Sequence, residues 1–183
     1  MVDVQNDFCE GGTLAVNGGS ATATRITGYM EAHPGAYDLV VATRDWHVAP
    51  GRHFAPEGED PDFSETWPVH CVAGRDGAEW HPNLRLPQET VVVSKGERTA
   101  AFSGFEGYTD DGESLADLLH ERRIDAVDVV GIATTWCVKR TALDAVEAGF
   151  AVRVLPGLTA DVNPEETPGT LRELAAAGVE VGD

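Results

Sequence analysis

"AVDVVGIATTWCVKRTALDAVEAGFAVRVL", residues 126–155, changes its apolar spacing twice. Ala126–Ile132 is a short valine-rich run, and Phe150–Leu155 is another. Between them, Trp136–Ala148 places apolar residues three and four apart, the repeat of a helix with one buried side. Two strands separated by a helix run parallel, because a tight hairpin cannot join them. Each run is apolar at successive positions rather than alternate ones, so both faces of the sheet are covered.

The same pattern recurs outward from this segment. Further strands are expected at Asp38–Thr43, Thr90–Ser94 and Gly178–Val181, with helices at Ser20–Ala32, Ser114–Arg122 and Glu165–Ala177. Strands alternating with helices specify an α/β fold built on a parallel sheet, with right-handed crossovers. In such a sheet ligands bind beyond the carboxyl ends of the strands. Four stretches carrying reactive groups fall on that rim: Asp3 after Val2, Arg44 and Asp45, Lys95, and the turn "ATTWC".

The chain has 183 residues, which suits one domain spanning 1–183. Thirteen basic residues against 31 acidic ones give a net charge of −18. That charge opposes binding to nucleic acid phosphates or to anionic membranes. Three cysteines cannot form a fully paired disulfide framework, and no apolar run is long enough to span a bilayer. A cytoplasmic protein is expected, as a monomer or a homodimer. The richest Pro/Gly stretch, residues 49–62, reads as a long loop and not as a linker.

Cys137 falls where a strand passes through a short turn into a helix, with Thr134 or Thr135 available as N-cap. A cysteine in a first helical turn meets free N–H groups that favour thiolate and can hold an oxyanion. Asp3 is the candidate general base and Lys95 the candidate charge stabiliser. Taken singly, each has a plainer alternative: a buried apolar cysteine, an Asx-turn and a solvated strand-end lysine. The second constellation is "RDWHVAPGRH" with the later "WPVHC". Asp45 and His47 point to one side of an extended backbone, and His53 and His70 return from the loop. One carboxylate and three imidazoles suit a single divalent ion, Zn, Fe or Mn. Phe8 and Trp67 are candidate walls for a flat aromatic ligand, although core packing is an alternative for Phe8. His33, His81 and His120 are read as surface residues, and Cys9 and Cys71 receive no role.

"VDVQNDFCEGGTLAV", "VVATRDWH", "WPVHCV", "SKG", "FSGFEG" and "VVGIATTWCV" resemble the nicotinamidase (pyrazinamidase) family of isochorismatase-like cysteine hydrolases. The resemblance runs in order from residue 2 to beyond residue 160. It implies a three-layer α/β/α sandwich with a six-stranded parallel sheet and an Asp3–Lys95–Cys137 triad. It also implies a metal site at Asp45, His47, His53 and His70, and a cis peptide at Ile132-Ala133 that opens an oxyanion hole of the Ala133 and Cys137 N–H groups. The implied reaction converts nicotinamide or pyrazinamide to the acid and ammonia through a thioester, a step of NAD salvage. An amidase for another small amide, or a non-catalytic metal-binding relative, is the alternative.

Two departures from the family pattern stand out. Family members commonly read "ATD" where this chain has Ala133-Thr134-Thr135, so a carboxylate near the thiol is missing from the turn, and Trp136 follows. Only Met1 and Val2 precede Asp3, where the family has a longer central first strand. That strand is therefore truncated here, and a natural start upstream of Met1 is expected.

Overall fold

A computed structural model describes residues 1–182. Five strands are present: β1 (Val41–Asp45), β2 (Val91–Lys95), β3 (Ala126–Ile132), β4 (Ala151–Ala160) and β5 (Glu180–Val181). The helices are α1 (Gly19–Ala32), α2 (Leu115–Glu121), α3 (Lys139–Glu147) and α4 (Thr167–Ala176). All strand pairs are parallel, and they fall into two ribbons, β1-β2 and β3-β4-β5. The described residues thus hold five strands where six are expected. Val2 bridges the two ribbons, pairing in parallel with Thr43 on one side and Gly131 on the other. Its N–H donates to the Val130 carbonyl at 2.7 Å, and its own carbonyl accepts from Ile132 at 2.9 Å.

This bridge explains an otherwise puzzling glycine. Gly131 sits at φ +123°, and a Cβ built on it would lie 2.1 Å from the Val2 carbonyl oxygen. No other residue allows both that conformation and that approach. Below the bridge, β1 and β3 separate around a cavity of about 440 Å³ lined by Val2, Tyr37, Val41 and Val129. It lies on the far side of Val2 from the rim described below.

Adjacent β3 residues face opposite ways, as the two-residue repeat of a strand requires. Val129 joins the core formed with α2, α3 and α4, whereas Val130 and Ile132 join Ala23 and Ile26 of α1. Helices therefore cover both faces, which is why β3 carries apolar residues on both sides. Four strands differ from the sequence expectation, β5 only by starting two residues late, at Glu180. β1 lies three residues later at its start, because pairing with Val2 and β2 holds Arg44 and Asp45 in the strand and not beyond it. β2 likewise includes Lys95. β4 runs past Pro156 and Gly157, absorbing them in a register shift between Val129–Val154 and Gly131–Thr159. A proline lacks the N–H for continuous pairing, so a bulge at that point is its natural place.

Candidate active site

Four chain segments meet at the carboxyl rim. Asp3, just beyond the bridge, adopts φ +49°, a left-handed conformation that aspartate tolerates better than most residues. Its N–H donates to the Thr43 carbonyl at 3.1 Å, and the Thr43 hydroxyl donates to its Oδ1 at 2.7 Å. Lys95 Nζ lies 2.9 Å from Asp3 Oδ2, 2.5 Å from Asp45 Oδ1 and 3.8 Å from Cys137 Sγ. The ammonium is thus shared by two carboxylates and touches the sulfur. Asp3 Oδ2 has no hydrogen-bond donor of good geometry among the described residues. The ammonium meets it as an ion pair at 2.9 Å.

All of this is buried, which decides the charges. Burial pushes the Asp3 carboxyl up, with Lys95 pulling the other way. Asp45 is held well below the usual carboxylate range: burial opposes its charge, but Lys95 and the neighbouring imidazoles outweigh it. Burial also pushes the Cys137 thiol up, Lys95 lowers it, and Asp3 and Asp45 raise it again, the former also through a hydrogen bond. This corrects the expectation of a thiolate stabilised by a helix end. Burial and the two carboxylates favour the thiol over the thiolate at this position.

The helix expectation changes for the same reason. Thr134–Val138 form a π-helical turn entered from Ala133, and α3 proper begins only at Lys139. Neither threonine caps it. The Thr134 hydroxyl donates to the Ala160 carbonyl at 3.1 Å, and that of Thr135 to the Asp161 carboxylate. The Trp136 and Val138 N–H groups both reach the Ala133 carbonyl at 3.1 Å. The peptide Ile132-Ala133 is cis.

Beside the sulfur stands the histidine cluster. Ligand atoms of His47, His53 and His70 lie within 4.8 Å of one another, all buried. His47 Nδ1 donates to the Gly96 carbonyl at 2.6 Å and His70 Nδ1 to that of Pro68 at 2.7 Å. A carbonyl only accepts, so Nδ1 is the donor in both rings and Nε2 is the atom turned inward, toward Asp45. Asp45 Oδ2 lies 3.6 Å from one Nε2 and 3.7 Å from the other, too long for hydrogen bonds. His47 Nε2 and both His53 nitrogens are buried without a partner. Burial and the adjacent imidazoles push His53 down to about 4, so it is neutral at pH 7. Orphaned imidazole lone pairs beside a carboxylate oxygen fit a divalent cation. Gly96, at φ +77°, holds the floor of this cluster, since a Cβ there would lie 2.6 Å from the His47 ring.

A cavity of about 250 Å³ joins the two groups, lined by Cys137 and Ala133 at one end and by Asp45, His53 and His70 at the other. Phe8 and Trp67 are among its walls, and so are Phe102 and Trp136. Trp136 stacks on Phe102 at 5.6 Å and meets Trp67 edge-on at 5.0 Å. Phe102, Trp136, Thr43 and Gln5 escaped the sequence reading as site residues. Phe102 lay inside a quoted motif, and Trp136 was visible as a departure beside the cysteine. Gln5 is fully buried, donating to the Asp45 and Ala78 carbonyls and accepting from the Asp45 N–H, each at 2.8 Å. Cys9 and Cys71 are free and buried, and burial pushes the Cys9 thiol up to about 12.

Comparison with known proteins gives concordant results. The isochorismatase domain matches residues 1–183. The nicotinamidase/pyrazinamidase of Mycobacterium tuberculosis is 50% identical over 181 residues, 99% of this chain and 95% of that protein. A crystal structure of the pyrazinamidase of Pyrococcus horikoshii in complex with zinc superposes with a TM-score of 0.84 at 36% identity. It covers 99% of this chain and 95% of its own. A protein of L. infantum in complex with nicotinate gives 0.83 at 35% identity, covering 99% and 89%.

Proposed function

The chain belongs to the isochorismatase family, and within it we propose that this protein is a nicotinamidase and pyrazinamidase, an amidohydrolase that releases ammonia from a pyridine or pyrazine carboxamide. One observation carries the reading: a cysteine with an acid and an ammonium, and a three-imidazole cluster, face the two ends of one aromatic-walled cavity. A ring with a nitrogen on one side and a carboxamide on the other spans those ends. We also read the two ribbons and the Val2 bridge as one six-position parallel sheet in a three-layer sandwich.

The ring lies among Phe8, Trp67, Phe102 and Trp136, whose faces and edges favour a flat aromatic. Asp3 Oδ2 takes the thiol proton as Cys137 Sγ attacks the amide carbonyl. The Ala133 and Cys137 N–H groups hold the developing oxyanion. Lys95 offsets the charge shared by Asp3 and the sulfur. Asp3 then returns the proton to the leaving nitrogen, which departs as ammonia and leaves a thioester on Cys137. Water, with Asp3 again as base, cleaves the thioester to the acid and restores the thiol. His47, His53, His70 and Asp45 would hold a divalent cation, which supplies a Lewis acid for the ring nitrogen. The zinc in the Pyrococcus horikoshii complex and the nicotinate in the L. infantum complex support that assignment without fixing the metal. No helix among the described residues is long and apolar enough to cross a membrane.

The test is release of ammonia and nicotinate from nicotinamide by the metal-loaded protein, with pyrazinamide in parallel. Release at a rate proportional to enzyme is expected. Metal binding with no release from either amide rejects the reading and favours a non-catalytic relative.

A further inference from the structure

Asp161 takes no part in the steps above, yet it is 4% exposed and accepts from four neutral donors. They are the Thr135 N–H at 3.3 Å, the Thr135 hydroxyl, the Val162 N–H at 2.9 Å and the Thr167 hydroxyl at 2.9 Å. A buried carboxylate is costly unless its acceptor capacity is filled, and these donors fill it. Two of the four come from one residue, Thr135, in the turn that carries Cys137.

The tethers of that turn show what this does. Its internal bonds, from Trp136 and Val138 to the Ala133 carbonyl, close the turn on itself but do not aim it. Aim comes from the side chains of Thr134 and Thr135, which reach the end of β4 at Ala160 and Asp161. Asp161 also satisfies the Thr135 N–H, the work a cap within the turn would otherwise do. Thr135 stands between Ala133 and Cys137, the two residues whose N–H groups form the oxyanion hole, and next to the wall residue Trp136.

We propose that Asp161 is a positioning residue for the reaction: gripping Thr135 from just beyond the end of β4, it sets where the Cys137 sulfur and the two N–H donors point. A turn without a carboxylate of its own borrows one from the residue that follows β4. The proposal rests on the nucleophile reading given under Proposed function. Its second contact, to Thr167 at the start of α4, is structural and provides the control.

The experiment uses the metal-loaded full chain with nicotinamide as substrate. Asp161→Asn should lower kcat roughly 10- to 100-fold, the scale expected when reacting groups are misplaced by about 1 Å, with KM little changed. Thr135→Val should do the same, and the double variant should be no worse than either alone, because one interaction is being removed twice. Exchanging the partners, Thr135→Asp with Asp161→Thr, rebuilds donor and acceptor from opposite sides and should recover kcat relative to Asp161→Thr alone. Thr167→Val should lower the melting temperature and leave kcat unchanged. Wild-type kcat in Asp161→Asn, additive losses, or an exchange variant no better than the single one overturns the proposal. Alkylation of Cys137 by iodoacetamide, mapped by peptide mass, needs no amide substrate and should slow several-fold in Asp161→Asn. An unchanged alkylation rate sinks the role of Asp161 alone, whereas absent ammonia release by the wild type sinks the functional reading.

Discussion

Replacing Lys95 with Met tests the electrostatic account where it is most exposed to failure. Methionine keeps the unbranched stem of this 1% exposed side chain and removes only the ammonium. Two buried carboxylates, 2.9 and 2.5 Å from the lost charge, then have no cation beside them. A unit-charge pair at such distances is worth about 6 kcal/mol at an effective dielectric constant near 20. Measured losses on breaking a buried pair are about 3–5 kcal/mol. With metal removed, so that no ion compensates Asp45, urea denaturation at pH 7 should show a loss of about 3–5 kcal/mol. That is a large share of a total near 5–15 kcal/mol. The loss should shrink as pH falls, because the stranded carboxyls, their folded pKa raised, then take protons that the folded variant binds better than the unfolded chain. Asp3→Asn, costly in the wild type, should be neutral or stabilising beside Lys95→Met, and this pairing keeps the test readable if the single variant does not fold. A Lys95→Met protein within about 0.5 kcal/mol of wild type, the range of a surface change, or an Asp3→Asn effect equal in both backgrounds, refutes the reasoning.

Three further outcomes follow from other parts of the molecule. Glu10 accepts from the Gly18 and Ser20 N–H groups and the Ser20 hydroxyl, at 2.6, 2.8 and 2.5 Å, and so caps α1 from outside the helix. These bonds hold its carboxyl down at about 2 from 4.5. Their stabilisation is therefore present above about pH 4.5 and lost as pH falls through about 2; Glu10→Ala should cost about 1 kcal/mol at pH 7 by urea denaturation and proportionately less in acid. Gly131→Ala forces a methyl against the Val2 carbonyl; thermal unfolding should show a lower melting temperature, and the Val2 amide should lose protection from hydrogen exchange. Chelation should lower the melting temperature of the wild type and leave that of a His53→Ala/His70→Ala variant nearly unchanged, because ligand binding stabilises only a fold that holds the site; calorimetry with and without added Zn²⁺ reads the difference.

How much the sequence disclosed depended on how local each determinant is. β3 is bounded at Ala126 and Ile132 as its apolar run indicates, because Val127 and Val129 pack into the core on one face and Val130 and Ile132 into that on the other. β1 was misplaced since its paired stretch, Val41–Asp45, is set by Val2 and by β2, which are distant in sequence. Asp3, Lys95, Cys137, Asp45 and the three histidines were nameable because strand ends are rims and their residue types are chemical. Their coupling was not: the Lys95 ammonium joins Asp45 of the histidine cluster to Asp3 of the cysteine site. The protonation of Cys137 was misjudged because local position suggested a helix terminus, while burial and two remote carboxylates decide it. Asp161 gave no signal, for its partner Thr135 lies 26 residues earlier and meets it only through the β3–β4 register.

The central claim is that Cys137 becomes acylated by the amide substrate. Metal-loaded protein mixed with nicotinamide, quenched in acid within one turnover and digested, should yield the Cys137 peptide carrying one nicotinoyl group. The same peptide from an Asp3→Asn protein should stay unmodified. Steady ammonia release with no such adduct on Cys137, or undiminished release by a Cys137→Ala protein, contradicts the account.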